Sequence, residues 1–272
     1  MLGDIVGTPG RQAVTQQIPL IRERYQPNLI IANAENAANG SGLTPDLYRK
    51  LCDAGVDGMT LGDHVFRKAQ IVSTLEQEAN IIRPANLPAG AKGKRWMKLQ
   101  PAGAGMPAVY VVTVLGRLFM STLSNDPFAA VAEVIASLPE ANPIVLVEIH
   151  AEATSEKQAM GWFMLGRAVA VVGTHTHVAT ADARILARDG KFGTAYISDL
   201  GMCGPHESVL GRNVDRVLQH MTTNMPAPFD VAERDNRVNG VVIDIDTDSR
   251  RATSIERLEL QADTSAPPFT SR

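Results

Sequence analysis

The chain has 272 residues, of which 44% are hydrophobic, enough to bury a substantial core as one large domain or two small ones. A formal net charge of −3 and a sequence pI near 6.1 offer no basic surface, so we expect no stable nucleic-acid binding. No apolar run approaches the roughly 18 residues that a membrane helix needs, and the first residues lack the pattern of a signal peptide. The composition predicts a cytoplasmic protein without a membrane partner.

Short apolar segments typical of β-strands alternate with segments of helical periodicity along the chain. Strands are predicted, in chain order, in "PNLIIANAEN" (27–36), "GMTLGDH" (58–64), "VYVVTVLG" (109–116), "IVLVEIH" (144–150), "AVAVVGTHTH" (168–177) and "TAYISDLG" (194–201). Helices are predicted between these strands over about 10–25, 44–54, 69–79, 127–138 and 153–168.

Local signals support this division of the chain. Thr44 with Pro45 and Asp126 with Pro127 are typical pairs of N-cap and first helical residue. The late segments "GVVIDIDTD" and "ATSIERLEL" alternate apolar and polar residues, as half-buried antiparallel strands do. Continuous apolar strands early and alternating strands late indicate an α/β fold with mixed sheets. We expect one domain over residues 1–260 and a disordered tail over 261–272.

Polar residues stand where the early strands end. His175 and His177 lie two positions apart in "VVGTHTHVAT", so an extended backbone would direct both imidazoles to the same side. Strand ends converge at one edge of an α/β sheet, where ligands bind. An isolated pair of this kind also fits a polar strand end without metal, but the whole series favours a metal site over unrelated polar loops. The residues concerned are Asp4, Glu35, Asn36, Asp63, His64, His150, His175 and His177.

The chemistry of these residues limits the choice of metal ion. Carboxylates, a carboxamide and imidazoles without a thiolate favour iron, manganese or zinc over a structural zinc site. More ligands are available than one tetrahedral ion uses. This surplus suits two ions roughly 3.5–4 Å apart that share a bridging carboxylate, an arrangement used in phosphate ester hydrolysis.

Several motifs together resemble those of the calcineurin-like metallophosphoesterases, and among them the YmdB-like bacterial phosphodiesterases. They are "GDIVGTPGR", "NAENAANGSGLT", "TLGDH", "RPANLPAG", "HAEATSEK", "VVGTHTHVATAD" and "SDLGMCGP", spread over nearly the whole chain. The resemblance implies two mixed β-sheets packed as a sandwich and flanked by helices. It also implies a two-metal centre, iron first with manganese or zinc as alternatives, and a small cyclic nucleotide as substrate. The 2′,3′-cyclic nucleotides are the first expectation and the 3′,5′-cyclic nucleotides the second.

The resemblance also implies roles for individual residues. Asp4, Glu35, Asn36 and His177 would hold the first metal, and Glu35 would bridge to a second metal completed by Asp63, His150 and His175. His64 would donate a proton to the leaving oxygen while a hydroxide activated by the two metals attacks the phosphorus.

This chain departs from the family pattern in two places. It has "GDH" where the family has "GNH", so Asp63 replaces an asparagine ligand. The added negative charge would hold a metal more tightly and weaken its Lewis acidity. The second departure is that only three residues precede Asp4, where the family has a full first strand.

The sequence leaves alternatives open. The same site could hydrolyse phosphomonoesters or RNA ends, or the protein could be a regulatory metal-binding protein with incidental turnover. Asp199 either lines the pocket or belongs to a turn packed near the metals. Glu152, Thr154 and Ser155 are expected to start and cap a helix rather than to contact substrate. A homo-oligomer is compatible with the sequence.

Overall fold

Two mixed β-sheets pack face to face in the computed structural model, which describes residues 1–263. The strands are β1 (Asp4–Ile5), β2 (Ile31–Asn33), β3 (Gly58–Thr60), β4 (Ile81–Ile82), β5 (Trp96–Leu99), β6 (Val109–Leu115), β7 (Ile144–His150), β8 (Ala170–Thr174), β9 (Arg184–Arg188), β10 (Lys191–Ile197), β11 (Met202–Pro205), β12 (Asn236–Asp246) and β13 (Arg251–Gln261). The helices are α1 (Gly7–Tyr25), α2 (Pro45–Asp53), α3 (Ile71–Gln77), α4 (Pro127–Ser137), α5 (Thr154–Phe163) and α6 (Val214–Thr223).

The first sheet is built from two groups of strands, β4-β3-β2 and β1-β11-β12-β13. Leu2 joins them, because it bridges Ala32 of β2 in parallel and Gly240 of β12 in antiparallel orientation. The second sheet has the order β5-β6-β7-β8-β10-β9, with parallel inner strands and an antiparallel strand at each edge. Both sheets are therefore mixed, as expected.

Three apolar clusters define four layers. Residues of both sheets, such as Leu146 and Val241, form the core between them. Helices α1, α2 and α3 cover the outer face of the first sheet, and α4 and α5 cover the outer face of the second. The predicted sandwich of two mixed sheets flanked by helices is confirmed. None of the helices within residues 1–263 combines the length and apolar character needed to cross a bilayer.

Two predicted helix starts are confirmed by their hydrogen bonds. The hydroxyl of Thr44 accepts from the backbone N–H of Leu47 at 3.4 Å, and Asp126 accepts from Phe128 at 2.8 Å. At the other end of the chain, β13 continues to Gln261, and Ala262 is buried. These residues of the expected tail thus pack with the domain, while 264–272 lie outside the described residues.

Candidate metal centre

The carboxyl ends of four strands and the two-residue strand β1 meet at one edge of the sandwich and bring the polar residues together. Asp4 lies in β1, and His150 is the last residue of β7. The other residues follow β2, β3 and β8 by at most four positions. Because neighbouring strands end side by side, side chains far apart in sequence face one volume between the sheets.

One group of donors lies close enough to surround a single ion. Glu35, Asp63, His150 and His175 each place a ligand atom within 4.8 Å of all the others. His150 Nε2 is at the centre of the group, 3.2 Å from Glu35 Oε1, 3.1 Å from Asp63 Oδ1 and 3.1 Å from His175 Nδ1. These are the residues that the family resemblance implies for the second metal.

The remaining predicted ligands, Asp4, Asn36 and His177, also lie close together. His177 Nε2 is 4.0 Å from Asp4 Oδ1 and 3.1 Å from Asn36 Nδ2, and this amide also lies 3.3 Å from Glu35 Oε1. Asn36 presents Nδ2 to His177 and Oδ1 to His64 Nδ1, so binding of a metal through Oδ1 would use the second lone pair of this oxygen. Glu35 Oε1 contacts a member of each group, at 3.2 Å from His150 Nε2 and 3.3 Å from Asn36 Nδ2.

His64 lies at the accessible side of the cluster. Its Nδ1 is 2.8 Å from Asn36 Oδ1, and its backbone N–H donates to Glu35 Oε2 at 2.9 Å. Its side chain is 27% exposed, whereas that of Glu35 is 1% exposed. The imidazole is therefore anchored through Nδ1, and substrate can approach it.

Three features of these residues fit a metal centre. Asp4 Oδ1 is buried and has no hydrogen-bond partner within residues 1–263. A Cβ at Gly62 would overlap His150 Nε2 and Glu35 Oε2, so a glycine preserves the space beside these donors. The donor set combines buried carboxylates with imidazoles. Burying several carboxylates together is favourable only when a positive charge neutralises them.

The electrostatics of the metal-free cluster follow from burial and mutual attraction. Burial raises the pKa of Asp4 to about 8, although His150 opposes the shift. Burial alone would lower the pKa of His150, but Glu35 and Asp63 outweigh it and raise this pKa well above its usual value. The pKa values of both partner carboxyls are lowered, because contacts with histidine exceed the opposing effect of burial. Burial lowers the pKa of His177.

Metal binding is expected to release protons near pH 7. Asp4 and His150 bind protons more tightly in the metal-free folded protein than in the unfolded chain. Raising the pH towards 8 therefore weakens the metal-free fold and strengthens metal binding, which requires the deprotonated ligands. Calorimetric titration with metal in buffers of different ionisation enthalpy measures this release. A binding heat independent of the buffer would contradict the prediction, and Asp4→Asn should release fewer protons than wild type.

The loop after β8 holds two of the histidines in an unusual backbone conformation. His175 and His177 have φ values of 97° and 65°, in the left-handed region that costs a non-glycine residue of the order of 1–3 kcal/mol. Asp199 stabilises the loop in this conformation, because its Oδ2 accepts hydrogen bonds from the backbone N–H and the hydroxyl of Thr176, at 3.1 and 2.8 Å. Lys157 Nζ lies 2.7 Å from the same oxygen, and both side chains are at least 99% buried.

Asp199 thus belongs to the packed support of the loop, one of the two interpretations that the sequence left open. Lys157 was not predicted, since a lysine in a helical segment ordinarily reaches solvent. Helix α5 begins at Thr154 as expected, but Ala153 is its N-cap and provides no side-chain hydrogen bond. The expected capping role of Glu152 is therefore wrong: its carboxylate lies 3.4 Å from His175 Nε2.

Comparison with known proteins gives consistent matches over the whole domain. The family described as "YmdB-like protein" matches residues 1–258. The chain is 43% identical to a 2′,3′-cyclic-nucleotide 2′-phosphodiesterase of Bacillus subtilis, over 96% of each protein.

Two crystal structures share the fold. A hypothetical protein from Thermus thermophilus is 39% identical with a TM-score of 0.87, covering 96% of this chain and 98% of the other. A phosphatase from Mycoplasma pneumoniae is 29% identical with the same TM-score of 0.87, covering 96% and 92%.

Proposed function

Because the chain belongs to the YmdB-like protein family, we propose that it is a metal-dependent phosphodiesterase that hydrolyses 2′,3′-cyclic nucleotides. The observation that carries the proposal is the cluster of Glu35, Asp63, His150 and His175 with His64 beside it. A binding protein would need the metal donors, whereas an anchored and accessible imidazole next to them suits proton transfer to a leaving oxygen.

We assign the metal ligands as two sets that share one carboxylate. Asp4, Asn36 and His177 would bind one ion, Asp63, His150 and His175 the other, and Glu35 both. Iron is our first choice, with manganese and zinc as alternatives, since all three accept carboxylate and imidazole ligands. When bound, two such ions supply Lewis acidity towards the phosphate oxygens and a water-derived nucleophile at neutral pH.

The chain's own residues complete the reaction. Asn36 Oδ1 accepts from His64 Nδ1, which leaves Nε2 of the protonated imidazole to donate to the departing ribose oxygen. Asp63 Oδ2 lies 3.7 Å from that Nε2. One turn after β3 therefore supplies both a metal ligand and the proton donor.

A turnover screen with defined metal content tests the proposal. Protein reconstituted with iron, manganese or zinc is assayed on 2′,3′-cyclic nucleotides, 3′,5′-cyclic nucleotides and phosphomonoesters, and metal per chain is measured in parallel. We expect the highest kcat/KM on 2′,3′-cyclic substrates and loss of activity on chelation. Preference for monoesters would replace the phosphodiesterase assignment. A measured content well below one metal ion per chain would contradict the proposed metal centre.

Asp63→Asn is expected to retain or raise kcat while weakening metal retention. An amide oxygen can occupy the same coordination position, and removing the charge increases the Lewis acidity of the ion. Turnover and the metal dissociation constant are measured together, with the surface variant Asp46→Asn as the control, since Asp46 pairs with Lys50 on α2. Complete loss of metal at high supplied concentration would show that Asp63 has another role.

A further inference from the structure

The inner face of β7 changes from apolar to ionisable as the strand approaches the metal centre. Ile144 and Leu146 belong to the core between the sheets, and Glu148 and His150 follow at the same alternation. Glu148 is fully buried, and its Oε2 has no hydrogen-bond partner within the described part of the chain. A buried acid with an oxygen that lacks a hydrogen-bond partner costs free energy, so its position requires a physical reason.

The direction of the hydrogen bonds around Glu148 can be worked out from the backbone. Asn33 Oδ1 accepts from the backbone N–H of Glu35 at 3.0 Å, which fixes the orientation of the Asn33 amide. Its Nδ2 therefore donates to Glu148 Oε1 at 2.7 Å, since an amide nitrogen only donates. The same nitrogen lies 3.5 Å from His150 Nδ1, too far to compete with the 2.8 Å contact between Nδ1 and Thr174 Oγ1. Oε1 of Glu148 is consequently an acceptor.

The same oxygen determines what Thr174 does. Thr174 Oγ1 lies 2.6 Å from Glu148 Oε1 and 2.8 Å from His150 Nδ1. Its single hydrogen goes to the carboxylate, so the threonine oxygen accepts from Nδ1–H of His150.

We propose that Asn33, Glu148 and Thr174 act as positioning residues that hold His150 in its Nδ1–H tautomer. Once its proton is released, Nε2 carries the lone pair and points to Glu35, Asp63 and His175, where the proposed function places a metal. This inference rests on the metal centre of the proposed function. The hydrogen bonds then form one chain, which begins at the backbone N–H of Glu35 and ends at Nδ1 of His150.

Substitutions at Thr174 test the tautomer through metal affinity. Co²⁺ is titrated into the metal-free full-length protein, and its d–d absorption reports affinity and coordination. Thr174→Val removes the hydroxyl at nearly constant shape and is expected to weaken Co²⁺ binding about 10–100-fold, the usual effect of losing such a partner. Thr174→Ser keeps the hydroxyl and should restore affinity and spectrum towards those of wild type.

Thr113→Val is the matched control. Thr113 pairs with Glu148 across the neighbouring strand, is fully buried, and its Oγ1 has no hydrogen-bond partner within residues 1–263. We expect its Co²⁺ affinity to equal that of wild type. An equal loss in Thr113→Val and Thr174→Val, or wild-type affinity in Thr174→Val, would overturn the inference while leaving the proposed function intact. Absence of Co²⁺ binding in the wild type would overturn both.

A second measurement determines the tautomer of His150 in the wild-type protein, so it does not depend on whether variants of Asn33, Glu148 or Thr174 fold. In Zn²⁺-loaded wild-type protein labelled with ¹⁵N-histidine, the His150 signals are assigned by their absence in His150→Gln. A protonated Nδ1 and a metal-bound Nε2 are expected. A protonated Nε2 would overturn the inference.

Discussion

His64→Ala is expected to lower kcat roughly 10²–10⁴-fold on a 2′,3′-cyclic nucleotide, the usual contribution of a general acid. The ribose oxygen leaves as a basic alkoxide and needs a proton at that moment. On a nitrophenyl phosphodiester the loss should be much smaller, because that leaving group departs without help. The two substrates together separate proton donation from any general damage to the site.

The structure makes this variant a clean test. The histidine side chain contacts Asn36 and the carboxylates of Glu35 and Asp63, and we assign it no bond to metal. Metal per chain should therefore remain near that of wild type. His220→Ala removes a histidine from α6 and serves as the control, with unchanged kcat on both substrates. An equal loss on the two esters would refute the acid role, and a parallel loss of metal would make His64 a ligand.

The long strands and helices were predictable because their periodicity extends over enough residues. Strands β6, β7 and β8 and helices α1, α2 and α4 agree with the predicted segments to within a few residues. Strands β1 and β4 have two residues each, too few for any alternation to be visible. They exist because neighbouring strands supply hydrogen-bond partners, which only the folded chain brings together.

The candidate site was predictable in part. Candidate ligands at the carboxyl ends of strands can be identified from their residue type, as with Asp63 in "LGDH" and His150 in "VEIH". The residues that support the ligands cannot be identified in this way, because the roles of Thr174 and Lys157 depend on contacts that form only in the folded chain. One signal was available: Glu148 stands two residues before His150 in a buried strand, so alternation alone places an acid on the face of the proposed ligand.

The buried ion pair between Lys157 and Asp199 supports the loop of His175 and His177, so breaking it should affect stability strongly. Lys157→Met is expected to destabilise the protein by about 3–5 kcal/mol, the usual cost of leaving a buried charge without its partner. The Nζ–Oδ2 distance is 2.7 Å, and the two side chains are 0% and 1% exposed. Solvent cannot replace the lost ammonium.

A double-mutant cycle of chemical denaturation curves tests this expectation. In Lys157→Met with Asp199→Asn no unpaired charge remains, so the double variant should recover part of the loss, while the asparagine can still accept from Thr176. Arg234→Met is the control, because the Arg234–Glu207 pair is 81% and 61% exposed and should contribute at most about 1 kcal/mol. A Lys157→Met protein as stable as this control would show that the pair does not hold the loop. If the pair does hold the loop, metal affinity should fall in Lys157→Met under conditions where the protein is still folded, because the two strained histidines lose the support that keeps them in place.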